Sequence, residues 1–165
     1  MMRSPDGTAF RLDGPRNAPM VVLIHGLGLN HEVWDDTVPD LARLYRVLSY
    51  DILGHGETPA PTGQPSLALL ACQLADLLGT SMSLVPMSSM TAGWLLSGSS
   101  SQWKGAKPGK VFEALVDGQY ANPVIVVDEI DKASADAQYD PLGALYSLLE
   151  HDTAQNFVDE FAEVP

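Results

Sequence analysis

The chain has 165 residues, 45% of them hydrophobic, which is the material for one ordinary core, and its formal net charge is -12. Through Gly79 there are 5 basic and 9 acidic residues, and from Thr80 onward 4 and 12, so neither part carries the clustered Lys and Arg that a nucleic-acid backbone requires. No stretch approaches the roughly 18 apolar residues of a membrane span, the first residues contain no apolar signal region, and a single cysteine excludes an internal disulfide, so the cytoplasm is the default expectation.

Residues 8–13 predict a short leading strand, a. PMVVLIHG (19–26) is a continuous apolar run ending in Gly, the pattern of a strand covered on both faces, and supplies strand b over 20–25. Trp34, Val38, Leu41 and Leu44 recur at spacings of three and four and predict a helix over 35–44. YRVLSYDI (45–52) supplies strand c over 46–51, and a Gly/Pro loop follows as far as Gly63. Ser66 can cap the next helix, which runs to Leu78 and stops at Gly79; its run LALLACQLADLL predicts a buried Cys72. SMSLVPM (81–87) supplies strand d over 82–86, although Pro86 cannot donate to a ladder. A Gly/Ser-rich loop, a helix near 108–118, strand e over 123–128 and a final helix over 141–150 complete the chain.

Strands alternating with helices predict an α/β fold, a three-layer doubly wound and mainly parallel sheet of about five strands with helices on both faces and right-handed crossovers. In such a sheet functional groups gather at the carboxyl ends of the strands, here just after Ile24, Asp51, Val85 and Val127.

LIHGLGLNHEVW (23–34) followed by YDILGHGET (50–58) resembles the α/β-hydrolase family, its enol-lactonase and esterase branch, over roughly residues 8–78. The resemblance implies that the turn after strand b supplies a backbone N–H to an oxyanion hole, with Leu27 as the donor. Gly26 and Gly28 independently allow a sharp turn there. The family then requires a serine on a Gly-x-Ser-x-Gly elbow. Here Ser88 and Ser89 fall near that place, but neither has Gly on both sides at the required spacing. His151 is the one histidine beyond Gly79, and His25 and His55 belong to the motifs without being the family's base; a histidine in a turn reads first as structural.

VIVVDEIDKA (124–133) resembles a Walker B strand, and QWKGAKPGKVFEAL (102–115) and DPLGALYSLLEHDTAQNFVDEFAEVP (140–165) are similar to the segments flanking it in Lon-type AAA+ ATPases. This resemblance covers about Met82 to Pro165. It implies Asp128 as a metal carboxylate, Glu129 as the residue polarising water, and Trp103 as an aromatic that grips polypeptide. No Gly-x-x-x-x-Gly-Lys-Ser/Thr occurs in the chain, so Mg²⁺ and ATP rest on resemblance alone and no cofactor is expected.

All five arginines precede residues 74–89 and all four lysines follow, an arrangement expected for about one ordering in 126. The chain therefore reads as a chimera: one hybrid α/β domain over 1–165, with a hydrolase-like segment 1–79 and a Lon-like AAA+ segment 80–165. The two sources together imply the strand order a-c-b-d-e. Strand e is then an exposed apolar edge, and self-association through 123–128 follows. The tail from about Asp152 is expected to be mobile, since it leads toward a strand that the Lon resemblance implies beyond Pro165. Three functions compete: a hybrid without efficient catalysis, which is favoured; a weak serine esterase or lactonase using Ser88 or Ser89; and a Mg²⁺ or nucleotide-binding fragment built on Asp128.

Overall fold

The computed structural model describes residues 1–89, 93–132 and 141–163, apart from the side chains of Ser89, Pro141 and His151. The chain divides into two compact units, Met1–Leu77 and Leu78–Pro165.

The first unit is built on β1 (Met2–Arg3), β2 (Ala9–Asp13), β3 (Met20–Ile24) and β4 (Arg46–Tyr50), which form one sheet in the order β1-β2-β4-β3. β3 lies parallel to β4, whereas β2 is antiparallel to it. The expected mainly parallel sheet fails at this end because the connection over residues 14–19 is too short for a parallel crossover, which needs about a dozen residues. Between β3 and β4 the expected 35–44 helix is replaced by a 3-10 turn (His31–Trp34), capped by Asn30, and a single helical turn, α1 (Val38–Leu41). Pro39 is the reason: it has no N–H to return to residue 35, so a helix can begin only at Val38, where proline falls within the first turn.

β4 has neighbours on both sides, and Val47, Leu48, Ser49 and Tyr50 are each at most 2% exposed. Burial pushes the Tyr50 hydroxyl up to about 12. β3 is an edge, not the doubly covered strand expected, and it leaves Met20 and Ile24 half exposed. α2 (Leu67–Leu78) starts as predicted, with Ser66 Oγ accepting the Leu69 N–H at 3.2 Å, and ends at Gly79, whose φ of +67° is left-handed. It buries Ala71, Gln73 and Ala75, and Cys72, expected inside, is exposed.

The second unit contains β5 (Met82–Pro86), α3 (Trp94–Ser97), α4 (Lys110–Phe112), β6 (Val124–Asp128), α5 (Pro141–Leu149) and α6 (His151–Ala154). β5 and β6 pair in parallel from Met82↔Val124 to Pro86↔Asp128. The helix expected near 108–118 is α4 followed by a π-helical turn, Glu113–Asp117. Val85, Met87, Leu96, Val111 and Leu145 form the core, with Ile125, Val127, Leu142, Leu148 and Phe157 packed against it.

The neighbours a-c-b and d-e are thus present, and among the described residues they form two separate sheets. Pro86 brings no N–H to the outer edge of β5. Over the described residues 153–163, the tail expected to be mobile is tied to the rest of its unit. Phe157 packs on the core, Glu160 N–H donates to Ser97 O at 2.7 Å, and buried Asp159 accepts from Gly109 N–H at 2.8 Å, Phe161 N–H at 3.0 Å and Ala162 N–H at 2.9 Å.

Candidate functional site

In the first unit the chain leaves β3 through His25-Gly26-Leu27-Gly28. Gly28, at φ +79°, allows the turn, and Leu29 N–H closes it on Gly26 O at 3.2 Å. Leu27, the predicted oxyanion donor, projects its side chain outward at 83% exposed, and its N–H makes no hydrogen bond among the described residues. A cavity of about 560 Å³ lies alongside, lined by Gly28, Leu29, Asn30, Glu32, Val33 and Gly56.

Behind the turn sits a buried polar network organised by Asp51. One of its carboxylate oxygens accepts the His31 N–H at 2.7 Å and the His31 ring Nδ1 at 2.9 Å, and the other accepts the Glu57 N–H at 2.8 Å. Burial pushes the Asp51 carboxyl up, but these hydrogen bonds from Glu57 and His31 outweigh it and hold the group below the usual carboxylate range. Gly56, at φ +50°, passes so close that a Cβ there would lie 2.1 Å from the carboxylate. His25 Nε2 accepts the Ile52 N–H at 3.1 Å, which leaves the ring proton on Nδ1 to donate to Gly26 O at 2.8 Å. Gln73 reaches in from α2: its carbonyl accepts the Leu53 N–H at 3.1 Å, and its amide donates to Asp51 O at 3.1 Å and Thr8 Oγ1 at 3.0 Å.

The HGLG and Asp-x-x-Gly-His-Gly stretches are therefore stapled together by hydrogen bonds that leave Asp51 no unengaged carboxylate oxygen. Asp51 and Gly56 entered the sequence reading only as parts of a motif, and Gln73 was passed over. The available signal was Gln73, the one uncharged polar side chain in LALLACQLADLL.

In the second unit the parallel register sets the ends of β5 and β6 side by side, Pro86 opposite Asp128. The turn Met87–Ser89 then brings Ser88 to Glu129, and its hydroxyl donates to that carboxylate; Lys132 Nζ donates to the other oxygen of Glu129. Glu129 is held in the left-handed region at φ +55°, with its N–H donating to Asp128 Oδ1 at 2.8 Å. Lys132, and after it Ser88, lower the Glu129 carboxyl from its ordinary value. Three of the predicted residues, Ser88, Asp128 and Glu129, thus share one strand-end cluster. The side chains of Ser89 and His151 lie outside the described residues. Trp103 is 74% exposed on a loop. Among the described residues no group of three or more His, Cys, Asp or Glu is arranged to hold a metal ion. Elsewhere in this unit a cavity of about 630 Å³ is bordered by Trp94, Ser97, Ser147, Asn156, Phe157 and Glu160.

Together these observations define an α/β chain with a glycine-flanked turn over a buried carboxylate network in one unit and a pair of adjacent carboxylates at a strand end in the other. Known proteins of two kinds are similar to it. A family model described as the alpha/beta hydrolase fold matches residues 19–99. The Lon protease of Metamycoplasma arthritidis is 32% identical over 106 residues, covering 64% of this chain and 12% of that protein, and the mitochondrial Lon protease homolog of Mus musculus is 32% identical over 111 residues, covering 67% and 11%. Among solved structures, a hydrolase from Pseudomonas aeruginosa is similar at 34% identity and TM-score 0.41, covering 52% of this chain and 34% of that one. The enol-lactonase from Burkholderia xenovorans is similar at 33% identity and TM-score 0.41, covering 55% and 38%. The chain spans about a tenth of the length of the Lon proteases and about a third of the hydrolases.

The two resemblances overlap. An alignment covering 106 of the 165 residues begins no later than residue 60 and ends no earlier than residue 106, so the Lon resemblance includes 60–99 along with the hydrolase model.

Proposed function

We propose that this chain is a hybrid α/β protein, hydrolase-like at its front and Lon-like behind, that carries no efficient catalysis of its own and serves as a structural or scaffold object. One observation supports this reading above the rest. The partner of the Ser88 hydroxyl is Glu129, whose carboxyl is held below its ordinary value by Lys132 and by Ser88 itself. A serine nucleophile needs a neighbouring base matched to the working pH, and a carboxylate stabilised in its charged form takes a proton poorly near pH 7. The Asp128 carboxylate, similarly, is engaged by the Glu129 N–H, and one or two carboxylates without phosphates hold Mg²⁺ weakly.

The test is release of nitrophenol from nitrophenyl acetate by the wild-type chain, Ser88→Ala and Ser89→Ala. All three are expected to match the uncatalysed rate, and millimolar Mg-ATP is expected to leave the melting temperature unchanged. An acyl-enzyme burst lost in either serine variant would replace this proposal with a weak serine esterase, the second reading, which is favoured by a hydrolase match that takes in both serines. A thermal shift lost in Asp128→Ala would replace it with a nucleotide-binding fragment.

A further inference from the structure

We propose that β6 is a self-association edge, and that two copies of this chain meet there antiparallel, about a two-fold axis at Val126. The backbone parity is fixed by one bond: Val124 N–H donates to Ser81 O at 2.8 Å, within a ladder that runs in register to Pro86↔Asp128. In a parallel ladder the residues that direct both N–H and C=O at the neighbouring strand alternate. Val124, Val126 and Asp128 therefore address β5, and Ile125 and Val127 direct their polar groups to the opposite edge, where no ladder forms among the described residues. Burial agrees: every residue of β6 is half-buried, whereas β4, flanked on both sides, is buried from Val47 to Tyr50.

Three further features commit the occupant to a second copy. Val124–Asp128 contains neither Lys nor Pro, residues that discourage strand addition, whereas the outer edge of β5 ends in Pro86, which brings no N–H. Pairing through β6 extends the two-stranded β5–β6 sheet to four strands. Charge then selects the orientation. A parallel in-register pair would set Asp128 against Asp128, and like charges directly opposite destabilise. Antiparallel pairing with Ile125 opposite the partner's Val127 sets Asp128 against the partner's Val124 and sends the two Asp128-Glu129 ends to opposite sides. Val126 faces its own copy on the axis, as an isologous contact requires.

Sedimentation velocity of the full chain between about 1 µM and about 100 µM tests this, with the mass expected to rise from monomer to dimer. Ile125→Pro removes an outward N–H and spares the bonds to β5, so it is expected to stay monomeric with an unchanged far-UV circular dichroism spectrum. Val22→Pro makes the same change on the open edge of β3 and is expected to leave the dimer intact. A mass that stays monomeric throughout overturns the proposal. So does a dimer that survives in folded Ile125→Pro, or one lost in Val22→Pro but not in Ile125→Pro. Should Ile125→Pro fail to fold, Val126→Cys in a Cys72→Ser background decides. Non-hydrogen-bonded antiparallel partners lie about 4.5 Å apart at Cα, within disulfide reach, so oxidation is expected to give a covalent dimer; its absence from folded protein overturns the proposal.

Discussion

Gln73 holds the main chain of the Asp51 loop from both directions, donating to Asp51 O at 3.1 Å and accepting from Leu53 N–H at 3.1 Å. Gln73→Leu keeps the side chain's approximate size and strands the buried Asp51 O and the half-buried Leu53 N–H, which costs about 2–4 kcal/mol. The urea midpoint of the first unit should fall accordingly. Gln73→Glu should cost at least as much, since a carboxylate cannot donate to Asp51 O or Thr8. A midpoint unchanged in Gln73→Leu would mean that the clamp contributes nothing to stability.

Gly56 is irreplaceable for two separate reasons: its φ of +50° and the 2.1 Å that would separate a Cβ from the Asp51 carboxylate. Gly56→Ala is expected to destabilise by about 2 kcal/mol or more. Gly63 lies in the loop that follows, and a Cβ added there would meet no atom within 4 Å, so Gly63→Ala should be neutral or slightly stabilising. Thermal melts of the two variants side by side check the pair, and equal melting temperatures would refute the close-approach argument.

The contrast between these residues shows where sequence reading succeeded. Ser66, Gly79 and the apolar runs of β3, β4, β5 and β6 act through local backbone chemistry, so their roles are visible in the chain alone. Cys72 and Gln73 are a different case. In LALLACQLADLL nearly every position is apolar, so helical periodicity has no contrast from which to choose a buried face, and the helix turned Gln73 inward and Cys72 out. The partners of Gln73 lie at Thr8, Asp51 and Leu53, up to 65 positions away, and no local pattern reports them. The strand-end cluster of Ser88, Asp128 and Glu129 was legible only as separate residues, because the β5–β6 register that unites them is a tertiary fact.

Asp51 makes the first unit sensitive to acid. Burial raises its pKa, the hydrogen bonds from Glu57 and His31 lower it, and the net folded value is depressed. A depressed folded pKa gives stability that is present above the unfolded value of about 3.9 and is lost as pH falls through the folded one. The stability gap between wild type and Asp51→Asn should therefore be widest near pH 7 and narrow below about pH 4. Urea midpoints measured from pH 7 down to pH 3 test this, and a gap independent of pH would show that the carboxylate's charge is not what holds the loops.

Asp159 does for the tail what Asp51 does for the first unit, gathering three backbone N–H groups from Gly109, Phe161 and Ala162. The amides of Gly109 and Ala162 should exchange slowly with solvent in the wild-type chain and quickly in Asp159→Ala, which should also lower stability by about 2–4 kcal/mol. Fast exchange at all three amides in the wild type would return the tail to the mobile state predicted from sequence.

Glu129 carries the last prediction, because two of its properties pull in opposite directions. Its φ of +55° is unfavourable for any side chain and free for glycine, so Glu129→Gly should relieve backbone strain. The same change removes the carboxylate that joins Ser88 to Lys132, but Lys132 and Ser88 are both exposed, and exposed ionic contacts contribute little once water screens them. Strain should therefore win, and Glu129→Gly should melt a few degrees above the wild type. Glu129→Val separates the two effects: it loses the same contacts and adds a β-branched side chain in the left-handed region, so it should melt below both. If Glu129→Gly melted lower than the wild type, the Ser88–Glu129–Lys132 contacts would outweigh the strain, and stability alone would account for a left-handed glutamate at this strand end.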